Sequence, residues 1–158
     1  MIVDNLNGQA FQDLITNNHC FGCSPKNEKG LQIKSYWLDE NTTICNFRAS
    51  VHHCAAVTHF LNGGITSTLI DCHAICSAIA LCYKTENRKI GIGEAILFVT
   101  GSLSITYLRP VPIDSEITIR AEFVDIFERK IVVRCLLYAG DKLCSEADVI
   151  AIRAPAGF

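Results

Sequence analysis

The sequence predicts an α+β domain in which an antiparallel sheet curls around a single long helix, and three observations carry that expectation. From Gly63 to about Tyr83 apolar residues recur three or four positions apart (Ile65, Leu69, Cys72, Cys76, Ile79) with alanines between them. No other segment holds so long a helical pattern. Two stretches before it and four after it alternate apolar and polar residues, the mark of half-buried strands. One helix cannot cover both faces of a sheet that size, so the economical arrangement wraps the sheet around it.

Taken in order, "GQAFQDLIT" reads as partly helical and "CSPKNEKG" as a loop. "LQIKSYWL" and "NTTICNFRA" read as strands joined by the hairpin "LDEN". The loop "SVHHCAAVTHF" leads into the helix, and the polar break "KTENRK" ends it. "GSLSITYLRP", "SEITIRAEFVDIF", "KIVVRCLLYA" and "KLCSEADVIAIRA" follow as strands. The turns "PVPIDS", "ERK" and "AGDK" between them suit antiparallel hairpins. Such a sheet leaves an edge open, so pairing with a second copy is expected.

Composition narrows the function classes. A chain of 158 residues fits one domain with one core, here taken as residues 1–158, with 1–30 an N-terminal extension that carries a C-x-x-C. A hydrophobic fraction of 49% and a charged fraction of 19% describe an ordinary globular protein. The net charge of −2 with no block of like charges argues against a nucleic-acid partner. Apolar runs such as "AIAL" and "IVV" are shorter than a bilayer requires, so no membrane partner is expected. "MIVDNLNGQAF" carries Asp4 and lacks the basic segment and apolar core of a secretion signal, which leads to the expectation of a cytoplasmic protein. Nine cysteines, an odd number in a chain of this size, read as free thiols packed as small apolar residues rather than as disulfides.

The stretch "FLNGGITSTLIDCH" holds the chemistry. Gly63 and Gly64 open the helix although glycine weakens helices, and Asp71 puts a costly carboxylate among apolar and small residues. The first turn of a helix has free N–H groups and the positive end of the dipole, and glycine lets a ligand come close to them. The alternative is that the glycines only relieve crowding against the sheet. Asp71 likewise reads either as a nucleophile or general base, or as a residue bonded to a neighbouring strand.

With "NGGITSTLID" and "ITYLRPVP" in this order of elements, the chain resembles the hotdog-fold acyl-CoA thioesterases, in particular the PaaI-like group. That group opens its central helix with His-Gly-Gly and carries an acidic residue nine positions after the histidine. Asn62, Gly63 and Gly64 take the triplet here and Asp71 falls at the spacing. Tyr107, Leu108, Arg109 and Pro110 match the aromatic-x-Arg-Pro end of a later strand, and Cys20 to Cys23 with Gly30–Leu31 look like the "CFGC" and Gly-Leu of some members. The resemblance covers roughly residues 19–153. It implies hydrolysis of a small or medium acyl-CoA to free acid and CoA, without a cofactor. Asp71 would activate water or attack the carbonyl, Gly64 N–H, with Gly63, would bind the oxyanion, and Asn62 would orient the substrate. Thr100, five positions before Ile105, falls where such enzymes often carry Ser or Thr, and it reads equally as an ordinary strand threonine.

Asparagine at 62 excludes any mechanism that needs a histidine base there, such as that of hotdog dehydratases. Gly64 and Asp71, seven residues apart on one helix, are separated by about 10.5 Å along its axis. One carbonyl cannot touch both, so a working site draws them from different subunits of a homodimer or dimer of dimers. Arg109, Arg129 and Lys130 are candidates for the phosphates of CoA and equally for solvated strand-end charges. Zinc is not expected. The C-x-x-C supplies two ligands only, and a second pair would have to come from the irregular loop with His52, His53, Cys54 and His59. Cys72 and Cys76 read as helix-face packing. The rivals to catalysis are a non-catalytic acyl-CoA-binding or ligand-responsive protein on the same fold, and a thiol- or metal-responsive module built on the N-terminal cysteines.

Overall fold

The computed structural model describes residues 8–158, and the reading of the first seven lies outside the described residues. A single helical turn, α1 (Phe11–Leu14), precedes two strands, β1 (Ser35–Trp37) and β2 (Thr42–Arg48). A 3-10 turn (Val51–His53) leads to the long helix α2 (Gly63–Thr85). Then come β3 (Phe98–Tyr107), β4 (Glu116–Ile126), β5 (Lys130–Ala139) and β6 (Lys142–Arg153). All six strands join one antiparallel sheet in the order β1-β2-β4-β5-β6-β3.

Local chemistry sets these boundaries. Asp39 accepts from the N–H groups of Asn41 and Thr42, both at 2.8 Å, and so folds the β1–β2 hairpin. α2 ends where Asn87 takes a left-handed φ of 51°. β1 is shorter than the predicted 31–38. Gln32 has a left-handed φ of 52°, and Leu31 and Ile33 spend their N–H groups on Phe21 and Gly22 of the cysteine loop instead of on a strand.

α2 touches all six strands, and residues such as Leu69, Ile70, Ala74 and Ala78 are fully buried. Each buried leucine or isoleucine contributes about 1.5–3 kcal/mol relative to exposure, which makes the helix the axis of the core. It is also long and apolar enough to cross a membrane, unlike the short runs that strike the eye, but 67% of that apolar window is buried inside the sheet. Bulges in β3 between Thr100 and Ser102 and in β4 between Phe123 and Asp125 help to curve the strands. β3 lies at the sheet margin and is ten residues long, the kind of open edge that invites pairing with another chain.

A polar chain crosses this core. Gln12 Nε2 donates to Ser35 Oγ at 2.8 Å, and Ser35 N–H donates back to Gln12 Oε1 at 2.8 Å. Ser35 Oγ lies 2.8 Å from His73 Nδ1, whose ring faces Thr43 Oγ1 across 3.4 Å, and Thr43 bonds Ser77 at 2.6 Å. Burial drives the pKa of His73 down to about 4, a Thr43 backbone hydrogen bond partly opposing, so the ring is neutral.

Candidate active site

Asn62 is the N-cap of α2: its Oδ1 accepts from Gly64 N–H at 2.8 Å and from Ile65 N–H at 3.2 Å. The Gly64 N–H expected to meet an oxyanion is thus engaged by the cap in this structure, and the Asn62 side chain expected to orient the substrate holds the helix start through its Oδ1. An asparagine immediately before a helical pattern is itself an N-cap signal, so the sequence held the clue. A side chain at Gly64 would meet Asn62 Oδ1 at 2.9 Å, whereas one at Gly63 would reach the Tyr107 ring only at ordinary contact distance, 3.7 Å. Neither glycine is relieving crowding against sheet backbone. Asn62, Gly63 and Gly64 are all exposed, and Tyr107 closes over them by donating its hydroxyl to Gly63 O at 2.9 Å.

Asp71 is half-buried two turns further along α2. Among the described residues its carboxylate has one hydrogen-bond donor, Thr100, whose Oγ1 donates to Asp71 Oδ1 at 2.6 Å. The bulge after Thr100, where Gly101 sits against Ile152, breaks the β3–β6 register at this point. No cation pairs with Asp71 among the described residues. Burial pushes its carboxyl above the usual range; the Thr100 hydroxyl works against this, and negative charge on Cys23 adds to it. Asp71 and Thr100 line a cavity of about 310 Å³ whose apolar wall includes Ile75, Ile79 and Phe98.

The three candidate phosphate cations do not converge in one chain. Arg109 donates to Leu143 O at 2.8 Å, at the β5–β6 turn and beside the Gly63–Tyr107 pocket. Arg129 and Lys130 stand at the opposite end of β5, in the rows that lead through Arg153 and Ile152 to Phe98 and Val99, next to the row of Thr100. Ten residues of β5 put about 30 Å between the two ends.

The cysteine reading changes most. The second pair of thiols comes from α2 and not from the loop after β2. Cys20 Sγ lies 3.7 Å from Cys72 Sγ, and Cys23 Sγ lies 3.9 Å from Cys76 Sγ. Hydrogen bonds from the Cys72 and Cys76 thiols hold Cys23 well below the usual thiol range against the opposing effect of burial. Cys72 is pushed up by its contacts with Cys20 and then Cys23, and Cys76 by its contact with Cys23, burial adding to both. Of the loop residues, His53 Nδ1 accepts from Ser50 N–H at 3.0 Å and serves as a turn cap. Cys45 and Cys135 do behave as buried apolar thiols, Cys45 being pushed up to about 12 by burial.

A six-stranded antiparallel sheet wrapped on one long helix is a hotdog fold. Residues 58–145, more than half of the chain, match the family model "Thioesterase superfamily", and the chain belongs to that family. It is similar to a thioesterase superfamily protein from Shewanella loihica PV-4, with 31% identity, a TM-score of 0.67, and coverage of 88% of this chain and 96% of that one. A Haemophilus influenzae thioesterase shares the fold at 16% identity and a TM-score of 0.65, over 81% of this chain and 82% of that one. The mouse (Mus musculus) protein "Acyl-coenzyme A thioesterase THEM4" is 28% identical over 116 residues, 72% of this chain. The match spans 44% of that relative's length.

Proposed function

We propose that the chain is a PaaI-like acyl-CoA thioesterase that works as a homodimer or a dimer of dimers. The observation that carries this reading is Asp71: an ionisable carboxylate that, among the described residues, has no cation and one hydroxyl partner, and that stands on the wall of an apolar cavity. In the reaction, Asp71 takes a proton as water attacks the thioester carbonyl and hands it to the CoA sulfur as the C–S bond breaks; alternatively it attacks the carbonyl itself, expelling CoA as a thiolate that takes a proton from solvent, and water then hydrolyses the resulting mixed anhydride to free acid and the Asp71 carboxylate. Thr100 holds the carboxylate in place. The open edge strand β3 pairs with its copy, which brings Asp71 of one subunit to the helix start of the other. There the Asn62 amide is a placeholder: when the thioester arrives, its carbonyl oxygen displaces Oδ1 and takes the Gly64 N–H, with the Gly63 N–H beside it. Arg109 from one subunit and Arg129–Lys130 from the other flank the CoA phosphates.

One observation favours the rival reading of binding without turnover, namely that Asn62 already occupies the Gly64 donor. Thiol release from a panel of short, medium and aromatic acyl-CoAs separates the two. Turnover of at least one member supports hydrolysis, whereas saturable binding with no release of CoA makes the protein a ligand-binding module.

A further inference from the structure

Cys20 and Cys23 lie outside the family match, which begins at residue 58, whereas Cys72 and Cys76 lie within it, and the hydrolytic reading gives the thiol cluster no task. Its geometry is specific. The sulfurs of Cys20, Cys23 and Cys72 all lie within 4.8 Å of one another, and all nine cysteines are free thiols. A tetrahedral zinc ion with Zn–S bonds of about 2.3 Å sets its sulfurs about 3.8 Å apart. The Cys20–Cys72 separation is 3.7 Å. Three sulfurs gathered from two segments 52 residues apart have no need to point at one another if packing is their only role.

The surroundings are those of a thiolate site as well. Gly22 N–H donates to Cys20 Sγ at 3.3 Å, and the Asn18 amide donates to Cys23 Sγ at 3.5 Å. Donors aimed at sulfur stabilise thiolate and orient it, as the outer shell of a metal centre does. The loop is shaped to bring this about. A side chain at Gly22 would come within 2.3 Å of Cys72 Sγ and 2.9 Å of Thr68, so only glycine lets the loop lie on the helix here. Leu31 N–H to Phe21 O at 3.0 Å and Ile33 N–H to Gly22 O at 3.1 Å tie the loop down from its other side.

We propose that Cys20, Cys23 and Cys72 form a binding site for Zn²⁺, with the fourth coordination position facing the cavity that Asp71 lines. Soft thiolates select such an ion over Mg²⁺ or Ca²⁺. Cys76, 3.9 Å from Cys23 and outside the trio, supplies a hydrogen bond to the Cys23 sulfur rather than a ligand. Bound metal ties the N-terminal segment to α2 and fixes one wall of the cavity. The site stands independently of any catalytic role for Asp71, because metal content is read without substrate.

The test uses the full chain in reducing buffer, loaded with Zn²⁺ and dialysed against metal-free buffer. Wild type is expected to retain about one zinc per chain by elemental analysis. Cys20→Ser and Cys72→Ser should each retain less than about a tenth of that, and Cys54→Ser should retain all of it. Cys20 is exposed, so its replacement leaves the fold intact, which circular dichroism checks. Loading with Co²⁺ should give thiolate-to-metal charge-transfer bands and tetrahedral visible bands, lost in the same two variants. Wild type holding no more zinc than Cys72→Ser overturns the proposal. So does unchanged zinc content in Cys72→Ser, or a Cys20–Cys72 disulfide that forms while no metal is taken up.

Discussion

Asp71 and His73 stand two residues apart on α2 and meet different surroundings. His73 is fully buried, and Ser35 and Thr43 flank its two ring nitrogens within a polar chain that runs from Gln12 to Ser77. Asp71 is half-buried, meets only the Thr100 hydroxyl among the polar groups of the described residues, and opens onto a cavity. A titratable group whose hydrogen bonds are satisfied by its own core has nothing left to offer a ligand. One that is desolvated but left with spare acceptor capacity beside empty space can take a proton or bind. By type alone a histidine looks the better candidate for catalysis; by environment the aspartate is the better candidate.

The sharpest way to break this contrast is to remove the Asp71 charge while keeping its shape. Asp71→Asn should lower turnover of the best acyl-CoA by about a thousandfold, within the usual range for loss of a general base, and leave the melting temperature unchanged or higher. His73→Leu should do the reverse. It strips a partner from both Ser35 and Thr43, so it should cost about 2–3 kcal/mol of stability, read as a melting point lower by roughly 5–10 °C, with turnover per folded molecule preserved. Loss of turnover in that variant at full folding would erase the distinction.

Two smaller effects sharpen it. Asn and Asp cap helices about equally well, so Asn62→Asp should keep the melting temperature yet lower turnover about thirtyfold, because it puts negative charge where the oxyanion forms. Asn62→Ala should show the opposite split, with about 1 kcal/mol of stability lost and little change in turnover. Thr100→Val should lower turnover about tenfold at unchanged KM, and Thr100→Ser should restore it, since a hydroxyl is all that Asp71 requires. Equal activity in the valine and serine variants would reduce Thr100 to a strand residue.

What the sequence shows of this molecule follows from the range of the interactions involved. The start of α2 at Gly63 is legible to the residue, because capping and 3.6-residue periodicity are local. β4, β5 and β6 are legible within a residue or two for the same reason. The Asp71–Thr100 pair could be paired by count only through a known family pattern; its 2.6 Å contact is set by the tertiary arrangement of a bulged strand against the helix. β1 reads longer in the sequence than it is in the fold, because nothing local says that the N–H groups of Leu31 and Ile33 go to the cysteine loop. The meeting of Cys20 and Cys23 with Cys72 and Cys76 depends on that loop docking on α2, so spacing along the chain pointed to the wrong second pair. The polar chain through His73 is hidden likewise, since its members come from α1, β1, β2 and α2.

The central proposal is that one helix carries two halves of a site that must come from different subunits. The measurement that tests it most directly is complementation between Asp71→Asn and Asn62→Asp chains, unfolded and refolded together in equal amounts. In a mixed dimer one site has both lesions and the other has neither. With half the dimers mixed by chance, activity should recover to about a quarter of wild type, far above either parent. Activity that stays at the average of the two parents, although mixed dimers are shown to form, would contradict a shared site and return the whole chemistry to a single chain.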